Sequence, residues 1–285
     1  MSRVVVTGAA GKLGRATVAE LRAHGWDVLP VDRAPGADPP EGLLVVDLTD
    51  QAQVVEVVGG RTDERGGTVD AVAHLAAVPA PGVLPNSATF TNNMTASWNV
   101  QTAARAAGVE HVVWASSETV LGLPFDEAPP YLPVDEHYRA RPGSTYSLVK
   151  TLEEEMAHHL CRWDPALTMV GLRFSNVMEP HDYAQFPSFD ADPMLRKWNL
   201  WGYVDARDGA QAVRKGLELD RPGAHVAIVA AADTVMSRSS ASLAAEVFPD
   251  VEVRGDLGEH ETLLGIGTAR ELLGFDPQHS WRDEV

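Results

Sequence analysis

A tyrosine and a lysine four residues apart, Tyr146 and Lys150, have the types and the spacing for acid–base chemistry. On a helix this spacing places both side chains on one face, a few ångströms apart. A free tyrosine titrates near pH 10, and an ammonium about 4 Å away supplies roughly the 4 kcal/mol that would bring its pKa to about 7. Such a phenolate could accept a proton from a substrate hydroxyl. Ordinary helices also contain this spacing, so the rest of the chain must decide.

A glycine-rich segment, TGAAGKLG at residues 7–14, stands between a β-branched run at 3–6 and a helical pattern at 15–25. Glycines let the backbone turn tightly and approach a pyrophosphate, and the following helix N-terminus offers N–H donors to it. The three glycines alone are weak evidence, but their position between a strand and a helix predicts a dinucleotide site. The alternative is a glycine-rich turn without a ligand.

An acidic residue, Asp32, ends the second strand-like run at 27–32. A carboxylate there accepts hydrogen bonds from the adenosine ribose of NAD and repels the 2′-phosphate of NADP. Arg33 and Lys12 soften this preference, so NAD is favoured and NADP is the less favoured alternative. Asp47, after the third run, either meets the adenine or is a solvated carboxylate at a strand end.

Two serines, Ser116 and Ser117, end the fifth run. Ligands bind beyond the carboxyl ends of parallel strands, so a hydroxyl there can hold a substrate oxygen against the tyrosine. The alternative is a serine that only satisfies backbone groups.

The elements that must position these residues alternate between apolar runs and helical patterns. The predicted strands are 3–6, 27–32, 42–48, 69–77, 111–117, 167–174 and 223–232, and the predicted helices are 15–25, 88–108, 147–163 and 206–219, with a helix, a short strand and another helix in 240–274. Residues 123–142 are predicted to be a loop. This alternation predicts an α/β fold, a doubly wound parallel Rossmann sheet. Residues 1–174 with 203–232 form its dinucleotide-binding domain, and 175–202 with 233–285 form a small substrate lobe.

The composition narrows the classes of partner. A net charge of −17 argues against nucleic acid and anionic membranes, whose phosphates need a basic surface. The single cysteine, Cys161, excludes an intramolecular disulfide, and no apolar run reaches the roughly 18 residues of a membrane helix. His158 and His159 lack a third ligand, so we expect no metal site. A cytoplasmic protein with a small-molecule substrate is predicted.

Taken together, the motifs resemble the extended short-chain dehydrogenase/reductases, also called the NAD-dependent epimerase/dehydratase family. The resemblance rests on TGAAGKLG, Asp32, VVDL, HLAA (74–77), NNMTASWNV (92–100), SSETVLG (116–122), YSLVK, LRFSNV (172–177), YVDARD (203–208) and ARELLGF (269–275). It implies a catalytic triad of Ser117, Tyr146 and Lys150, with Tyr146 and Lys150 also touching the cofactor. The other cofactor residues that it implies are Gly8, Gly11, Lys12, Leu13, Gly14, Asp32, Arg33, Asp47, Leu48, Leu75, Ala76, Ala77 and Asn92. It also implies that Ser117 and Asn176 contact the substrate.

Within the family, the chain looks most like uronate and related sugar dehydrogenases. Glu118 and Thr119 stand where nucleotide-sugar dehydratases carry Asp-Glu, which disfavours dehydration. Arg196, five residues before Trp201, resembles the arginine with which uronate dehydrogenases grip a carboxylate, or it is a surface arginine in a salt bridge. Glu118 and Thr119 also replace an Asn-His pair of those enzymes, and Pro79 replaces a serine, so the same uronate is not the predicted substrate.

The function predicted is an NAD-dependent dehydrogenase that takes hydride from a hydroxyl of a small sugar or sugar-acid-like substrate. An epimerase with tightly bound NAD is the alternative, since it would use the same residues. A dinucleotide-sensing regulator without catalysis is a third reading, which the presence of both Tyr146 and Lys150 disfavours. The helices at 88–108 and 147–160 resemble those that pair into a four-helix dimer interface in the family, so a homodimer is implied.

Overall fold

The computed structural model describes residues 2–284, in which strands and helices alternate. The strands are β1 (Arg3–Thr7), β2 (Asp27–Asp32), β3 (Leu44–Val45), β4 (Ala71–His74), β5 (His111–Ser117), β6 (Tyr131–Leu132), β7 (Thr168–Phe174), β8 (Val177–Met178), β9 (Val204–Asp205), β10 (Gly223–Val229) and β11 (Glu252–Val253). The helices are α1 (Lys12–Ala23), α2 (Gln51–Val58), α3 (Asn86–Ala107), α4 (Thr145–Trp163), α5 (Ala206–Leu217), α6 (Ser240–Val247) and α7 (Gly267–Leu273). None of these helices is both long and apolar enough to span a bilayer.

The central sheet has the strand order β3-β2-β1-β4-β5-β7-β10 across the described residues. Every neighbouring pair in it is parallel. The chain starts in the middle at β1, runs outward through β2 and β3, and returns to begin the other half at β4. The crevice between β1 and β4 is therefore the topological switch point, where ligands of such sheets bind. The predicted doubly wound parallel sheet is confirmed.

Helices cover both faces of this sheet. On one face, Val4 and Val6 of β1 pack in a cluster with residues of α1, α5 and α7. On the other, Val5 packs in a cluster with residues of α2, α3 and α4. Successive side chains of a strand point to opposite faces, so burying both faces requires an uninterrupted apolar run. The run VVV at residues 4–6 meets that requirement.

A third cluster of buried side chains packs residues 120–138 together with residues of the predicted lobe. Its aromatic residues include Tyr183, Phe186 and Tyr203, with the rings of Tyr183 and Tyr203 5.9 Å apart in a T-shaped pair. Leu121 and Leu132 belong to the same cluster, and β6 pairs with β11. Residues 123–142, predicted to be a loop, thus supply a short strand and part of this core. The division into a Rossmann domain and a lobe stays a prediction.

The edge of the sheet differs most from the predicted elements. The third strand covers only Leu44–Val45 rather than 42–48, because it lies at the edge and its Val45 side chain is largely exposed. The helix α2 that follows was not predicted. Asp50 begins α2 by accepting hydrogen bonds from the amides of Ala52 and Gln53. Such a cap offsets the unpaired amides of a short helix.

Candidate active site

The glycine turn between β1 and α1 has no room for side chains at two of its three glycines. Gly8 has a φ of +71°, and a Cβ there would lie 2.7 Å from the amide nitrogen of Ala76. A Cβ on Gly14 would lie 2.0 Å from the carbonyl oxygen of Gly8. At Gly11, by contrast, the nearest atom would be that same oxygen at 3.3 Å. The turn is thus packed tightly against β4 and α1, and its residues line a cavity.

Asp32 fixes the end of β2 against this turn. Its carboxylate accepts hydrogen bonds from the amides of Ala10 at 3.0 Å and Arg33 at 2.7 Å. Asp47 lies farther along the same edge, where its contacts with the hydroxyl and amide of Thr49 hold the pKa of the carboxyl below its usual value. Asp32, Arg33, Asp47 and Leu48 all line the cavity.

The ammonium of Lys12, in the glycine turn, forms an ion pair with Asp182 of the predicted lobe. Arg15 pairs in the same way with Glu179, at 2.8 Å. Glu179, His181 and Asp182 lie close enough together to hold a metal ion. Both carboxylates of that group already carry a cationic partner, so the arrangement is accounted for by two ion pairs that join α1 to the lobe.

The wall beyond β4 is held by a buried asparagine. Asn93 accepts a hydrogen bond from the amide of Val78 at 2.8 Å and donates to its carbonyl oxygen at 3.1 Å. Asn92, the residue predicted from the sequence, donates to the side chain of Asn93 and lines the cavity. Leu75, Ala76 and Ala77 line the same wall.

Ser117, Tyr146 and Lys150 are buried and come together at the carboxyl end of β5. Ser144 and Ser147 form a capping box that begins α4, which places Tyr146 and Lys150 one turn apart. The Lys150 Nζ lies 5.8 Å from the centre of the Tyr146 ring. The Ser117 Oγ accepts hydrogen bonds from the amide and the hydroxyl of Thr119, at 3.1 and 3.0 Å. Its own hydrogen is then left to donate elsewhere.

Ser116 faces a different partner. Its hydroxyl donates to Glu154 at 2.6 Å, and Arg173 of β7 grips the same carboxylate with two hydrogen bonds. This arrangement fixes α4 to the sheet beside the site.

The charge balance at Tyr146 differs from the expectation. Burial raises the pKa of Tyr146. Lys150 and Ser117 act to lower it, but Glu153 and Glu118 act to raise it further. The predicted lowering of the phenol's pKa to about 7 therefore does not follow from the protein's own groups, because burial and two carboxylates outweigh the single ammonium.

A buried carboxylate on α4, Glu153, was missed from the sequence. Its Oε2 lies 2.9 Å from the Lys150 Nζ, and its Oε1 accepts a hydrogen bond from Ser97 at 2.6 Å. Burial acts to lower the pKa of Lys150, but the contact with Glu153 outweighs it and the pKa is raised. Lys150 therefore stays charged.

Behind Glu153, hydrogen bonds continue to the glycine turn. His74 Nε2 lies 3.2 Å from the Ser97 Oγ, and its Nδ1 lies 2.8 Å from the Thr7 Oγ1. Burial, with the charge of Lys150, lowers the pKa of His74 to about 3, so the ring is neutral. Because Ser97 donates to Glu153, one assignment satisfies the chain: His74 Nε2–H donates to Ser97, and Thr7 donates to Nδ1. Lys150 is thereby tied through side chains to β1.

A second acid, Glu118, directly follows Ser117 and lines the cavity. It is almost fully buried and accepts hydrogen bonds from Ser175 at 2.6 Å and Asn199 at 3.2 Å. Burial raises the pKa of Glu118 to about 7, against these hydrogen bonds and the charge of Arg196. No signal in the sequence separated this carboxylate from other strand-end acids.

The two remaining residues that were predicted to contact the substrate, Asn176 and Arg196, differ in their positions relative to the cavity. Asn176 lines the cavity, whereas Arg196 is not among its lining residues. The Arg196 guanidinium stacks on the rings of Phe189 and Trp198, 5.2 and 5.0 Å from their centres, and donates to the Gly202 carbonyl oxygen. It lies behind Trp198, so the structure does not bring it to a ligand carboxylate.

One cavity of about 620 Å³ connects these features, from the glycine turn and Asp32 to Ser117, Glu118 and Trp198. Its volume lies within the range of small-molecule and cofactor sites. The cavity opens at the switch point of the sheet, between the carboxyl ends of β1 and β4. The cavity therefore runs from the glycine turn to a buried serine, tyrosine and lysine.

Comparison with known proteins shows that this chain is similar to a family of enzymes and to several of its members. Residues 4–228 match the model of the NAD dependent epimerase/dehydratase family. A UDP-glucose 4-epimerase from Drosophila melanogaster is 33% identical over 223 residues, which are 70% of this chain and 59% of that protein. This chain thus matches about three fifths of the length of that relative.

Two similar dehydrogenases were also found. An L-arabinose 1-dehydrogenase (NAD(P)(+)) from Haloferax volcanii is 26% identical over 238 residues, 80% of this chain and 87% of that protein. A uronate dehydrogenase from Pseudomonas putida is 30% identical over 161 residues, 55% of this chain and 54% of that protein. Among solved structures, a short-chain dehydrogenase/reductase superfamily protein from Agrobacterium tumefaciens with bound NAD shares the fold, with a TM-score of 0.72, 24% identity, and coverage of 98% of this chain and 94% of that one.

Proposed function

The chain belongs to the NAD-dependent epimerase/dehydratase family, and from that premise we propose that it is an NAD-dependent oxidoreductase that removes hydride from a hydroxyl-bearing carbon of a small sugar or sugar-acid-like substrate. The observation that carries this proposal is that Ser117, Tyr146 and Lys150 line the same cavity as the glycine turn and Asp32. NAD is favoured over NADP because the Asp32 carboxylate repels a 2′-phosphate.

The cavity suits a dinucleotide. Gly8 and Gly14 let the turn pack closely on Ala76 and on its own backbone, and Asp32 is held at the end of β2. The residues proposed to hold it are Gly8, Gly11, Lys12, Leu13 and Gly14 at the pyrophosphate, Asp32 and Arg33 at the ribose, Asp47 and Leu48 at the adenine, and Leu75, Ala76, Ala77 and Asn92 along the groove. When bound, NAD supplies the hydride acceptor.

The protein's own residues then handle the proton. The Ser117 hydroxyl, which accepts from Thr119, donates to the substrate oxygen and holds it beside Tyr146. Tyr146 takes the proton of the substrate hydroxyl as a general base in its phenolate form. Lys150 and the positive charge of a bound nicotinamide would favour that form against burial, Glu153 and Glu118. Lys150 stabilises that phenolate, and Glu153 keeps the ammonium charged and in place. Asn176, which lines the cavity, is proposed to contact the substrate as well.

An epimerase with tightly bound NAD is the second candidate, favoured by the 33% identity to a UDP-glucose 4-epimerase. It would use the same three residues, so its distinguishing property is that reduced cofactor stays on the protein.

The test is to incubate the purified protein with NAD and a panel of aldoses, polyols and sugar acids and to measure NADH and oxidised product. The dehydrogenase proposal expects free NADH in a one-to-one ratio with oxidised sugar. An epimer that accumulates without free NADH would select the second candidate. No reaction with any member of the panel would contradict both.

We also propose a homodimer. Phe90 and Trp98 of α3 and Leu148 and Leu152 of α4 are exposed apolar side chains on two neighbouring helices. Exposed apolar patches of this kind mark association surfaces, and a second copy of the chain would cover this one. A cytoplasmic location is proposed as well, supported by the single free cysteine, Cys161.

A further inference from the structure

The part of the cavity beyond Ser117 is where a substrate would lie if the proposed function is right. Its lining there includes Glu118, Thr119, Asn176 and Trp198. Glu118 is close enough to Tyr146 for its charge to affect the phenol. A carboxylate therefore faces the place where the substrate reacts.

Three neutral donors and the charge of Arg196 act on Glu118, the donors being the Ser175 hydroxyl, the Asn199 side chain and the Asn176 backbone amide. Ser175 donates to one carboxylate oxygen and Asn199 to the other. Arg196 acts on Glu118 through its charge, while its own hydrogen bond goes to the carbonyl oxygen of Gly202. The carboxylate thus keeps acceptor capacity, because an ionised carboxylate has about four lone-pair sites.

The cations that line the cavity, Lys12, Arg33 and Lys150, are either paired or lie away from Glu118. Lys12 pairs with Asp182, and Lys150 pairs with Glu153. Arg33 lies at the opposite end, beside Asp32. Arg196 lies behind the Trp198 ring. Above pH about 7 Glu118 is ionised. A ligand carboxylate or diphosphate beside Ser117 would then meet its charge, with no lining cation free to pair with the ligand, and like-charge contacts of this kind exclude ligands.

Neutral sugars suit the same surface. A sugar hydroxyl can donate to Glu118, and the apolar face of a sugar ring can pack on the indole of Trp198. We propose that the substrate of this site is an uncharged sugar, an aldose or a polyol, whose hydroxyl donates to Glu118, rather than a sugar acid or a nucleotide sugar. This inference rests on the proposed function for the position of the substrate, and it narrows the substrate class.

The test compares ligands that differ in one group. Binding of D-galactose, D-galacturonate and UDP-glucose would be measured by calorimetry at about pH 9, where Glu118 is ionised. The protein is the Tyr146→Phe variant saturated with NAD, so that turnover does not interfere. We expect D-galactose to bind at least about tenfold more tightly than D-galacturonate, a difference set by the charge of Glu118. The same ratio in Glu118→Gln should fall towards one. Glu259→Gln, which changes an exposed glutamate, should leave the ratio unchanged.

The outcomes separate this inference from the proposed function. Tighter binding of D-galacturonate or UDP-glucose, binding of none of the three, or an unchanged ratio in Glu118→Gln would overturn the neutral-sugar inference. NADH formation by the unaltered protein is measured in parallel. Selective binding of the neutral sugar without NADH formation would contradict the oxidoreductase proposal and leave the substrate class standing.

Discussion

At the scale of single residues, the charge that Lys150 presents to Tyr146 depends on Glu153. A lone buried ammonium would tend to lose its proton, and Glu153, 2.9 Å away, prevents this. The same carboxylate raises the pKa of Tyr146. Glu153 is therefore a positioning residue with two opposite effects: it keeps Lys150 charged and weakens the acidity of the phenol.

Replacing Glu153 by glutamine should move the pH dependence of turnover to lower pH. Removal of the negative charge lowers the pKa of Tyr146, so the phenolate forms at lower pH, and it lowers the pKa of Lys150, so activity is lost sooner on the alkaline side. We expect both limbs to move to lower pH. The measurement is kcat against pH, since a purely structural role would change the amplitude and leave both limbs in place.

The stability of the Glu153→Gln variant against denaturant should be measured together with its pH profile. Breaking a buried ion pair at one partner costs about 3–5 kcal/mol, so Glu153→Gln should unfold at lower denaturant concentration. Glu259→Gln should change neither profile nor stability. An unshifted kcat profile in a folded Glu153→Gln protein would show that Glu153 has no influence on Tyr146.

The sequence identified Tyr146, Lys150 and Ser117 but could not identify Glu153. Three consecutive glutamates, 153–155, point in different directions around α4, as the helical period requires. Glu153 is buried against Ser97, Glu154 meets Arg173, and Glu155 is exposed. Which of the three turns inward depends on the packing of α3 against α4, and this long-range contact leaves no local pattern.

At the scale of elements, the turn between β1 and α1 determines where the cavity begins. Its short connection is possible because α1 packs directly on the backbone of the turn at Gly14. The sequence predicted this element well, since an apolar run, the glycine spacing and a helical pattern follow one another within residues 3–25. It predicted the edge strand β3 and helix α2 poorly, because the edge is partly exposed and carries a weaker apolar pattern.

Alanine at position 14 should destabilise the fold. Its Cβ would lie 2.0 Å from the Gly8 carbonyl oxygen, so the turn or α1 must shift. We expect a loss of about 1–3 kcal/mol in unfolding free energy, as for other overpacked sites, together with weaker NAD binding. Urea denaturation and an NAD titration are the measurements. Gly267→Ala, where a Cβ meets nothing within 4 Å, is the matched control. Equal stabilities for the two variants would contradict this view of the turn.

At the scale of the whole molecule, the sheet order brings residues from distant parts of the chain to one edge. The family match and the doubly wound sheet confirm what the motifs predicted. The surroundings of Arg196 could not be predicted in the same way. Its spacing from Trp201 suggested that Arg196 binds a substrate carboxylate. In the structure, however, the Trp198 ring lies against its guanidinium. Irregular segments without a repeating pattern do not reveal which side chain will face a cavity.

The exposed apolar stripe on α3 and α4, formed by Phe90, Trp98, Leu148 and Leu152, leads to a prediction about the oligomeric state. Trp98→Glu places a charge in the middle of that stripe and should convert a dimer to a monomer, which light scattering after size-exclusion chromatography would detect. Met194→Glu, an equally exposed apolar residue in the lobe, should leave the mass unchanged. A monomeric mass for the unaltered protein would contradict the homodimer proposal.

The central claim is that Tyr146 removes the substrate proton in the cavity that also binds NAD, and one comparison tests it most directly. NAD affinity and the rate of NADH formation are measured for the unaltered protein, for Tyr146→Phe and for Tyr138→Phe, a buried tyrosine that does not line the cavity. We expect similar NAD affinity in all three and a fall in rate of about 10²–10⁴-fold in Tyr146→Phe alone. A Tyr146→Phe variant that binds NAD and forms NADH at the unaltered rate would contradict it.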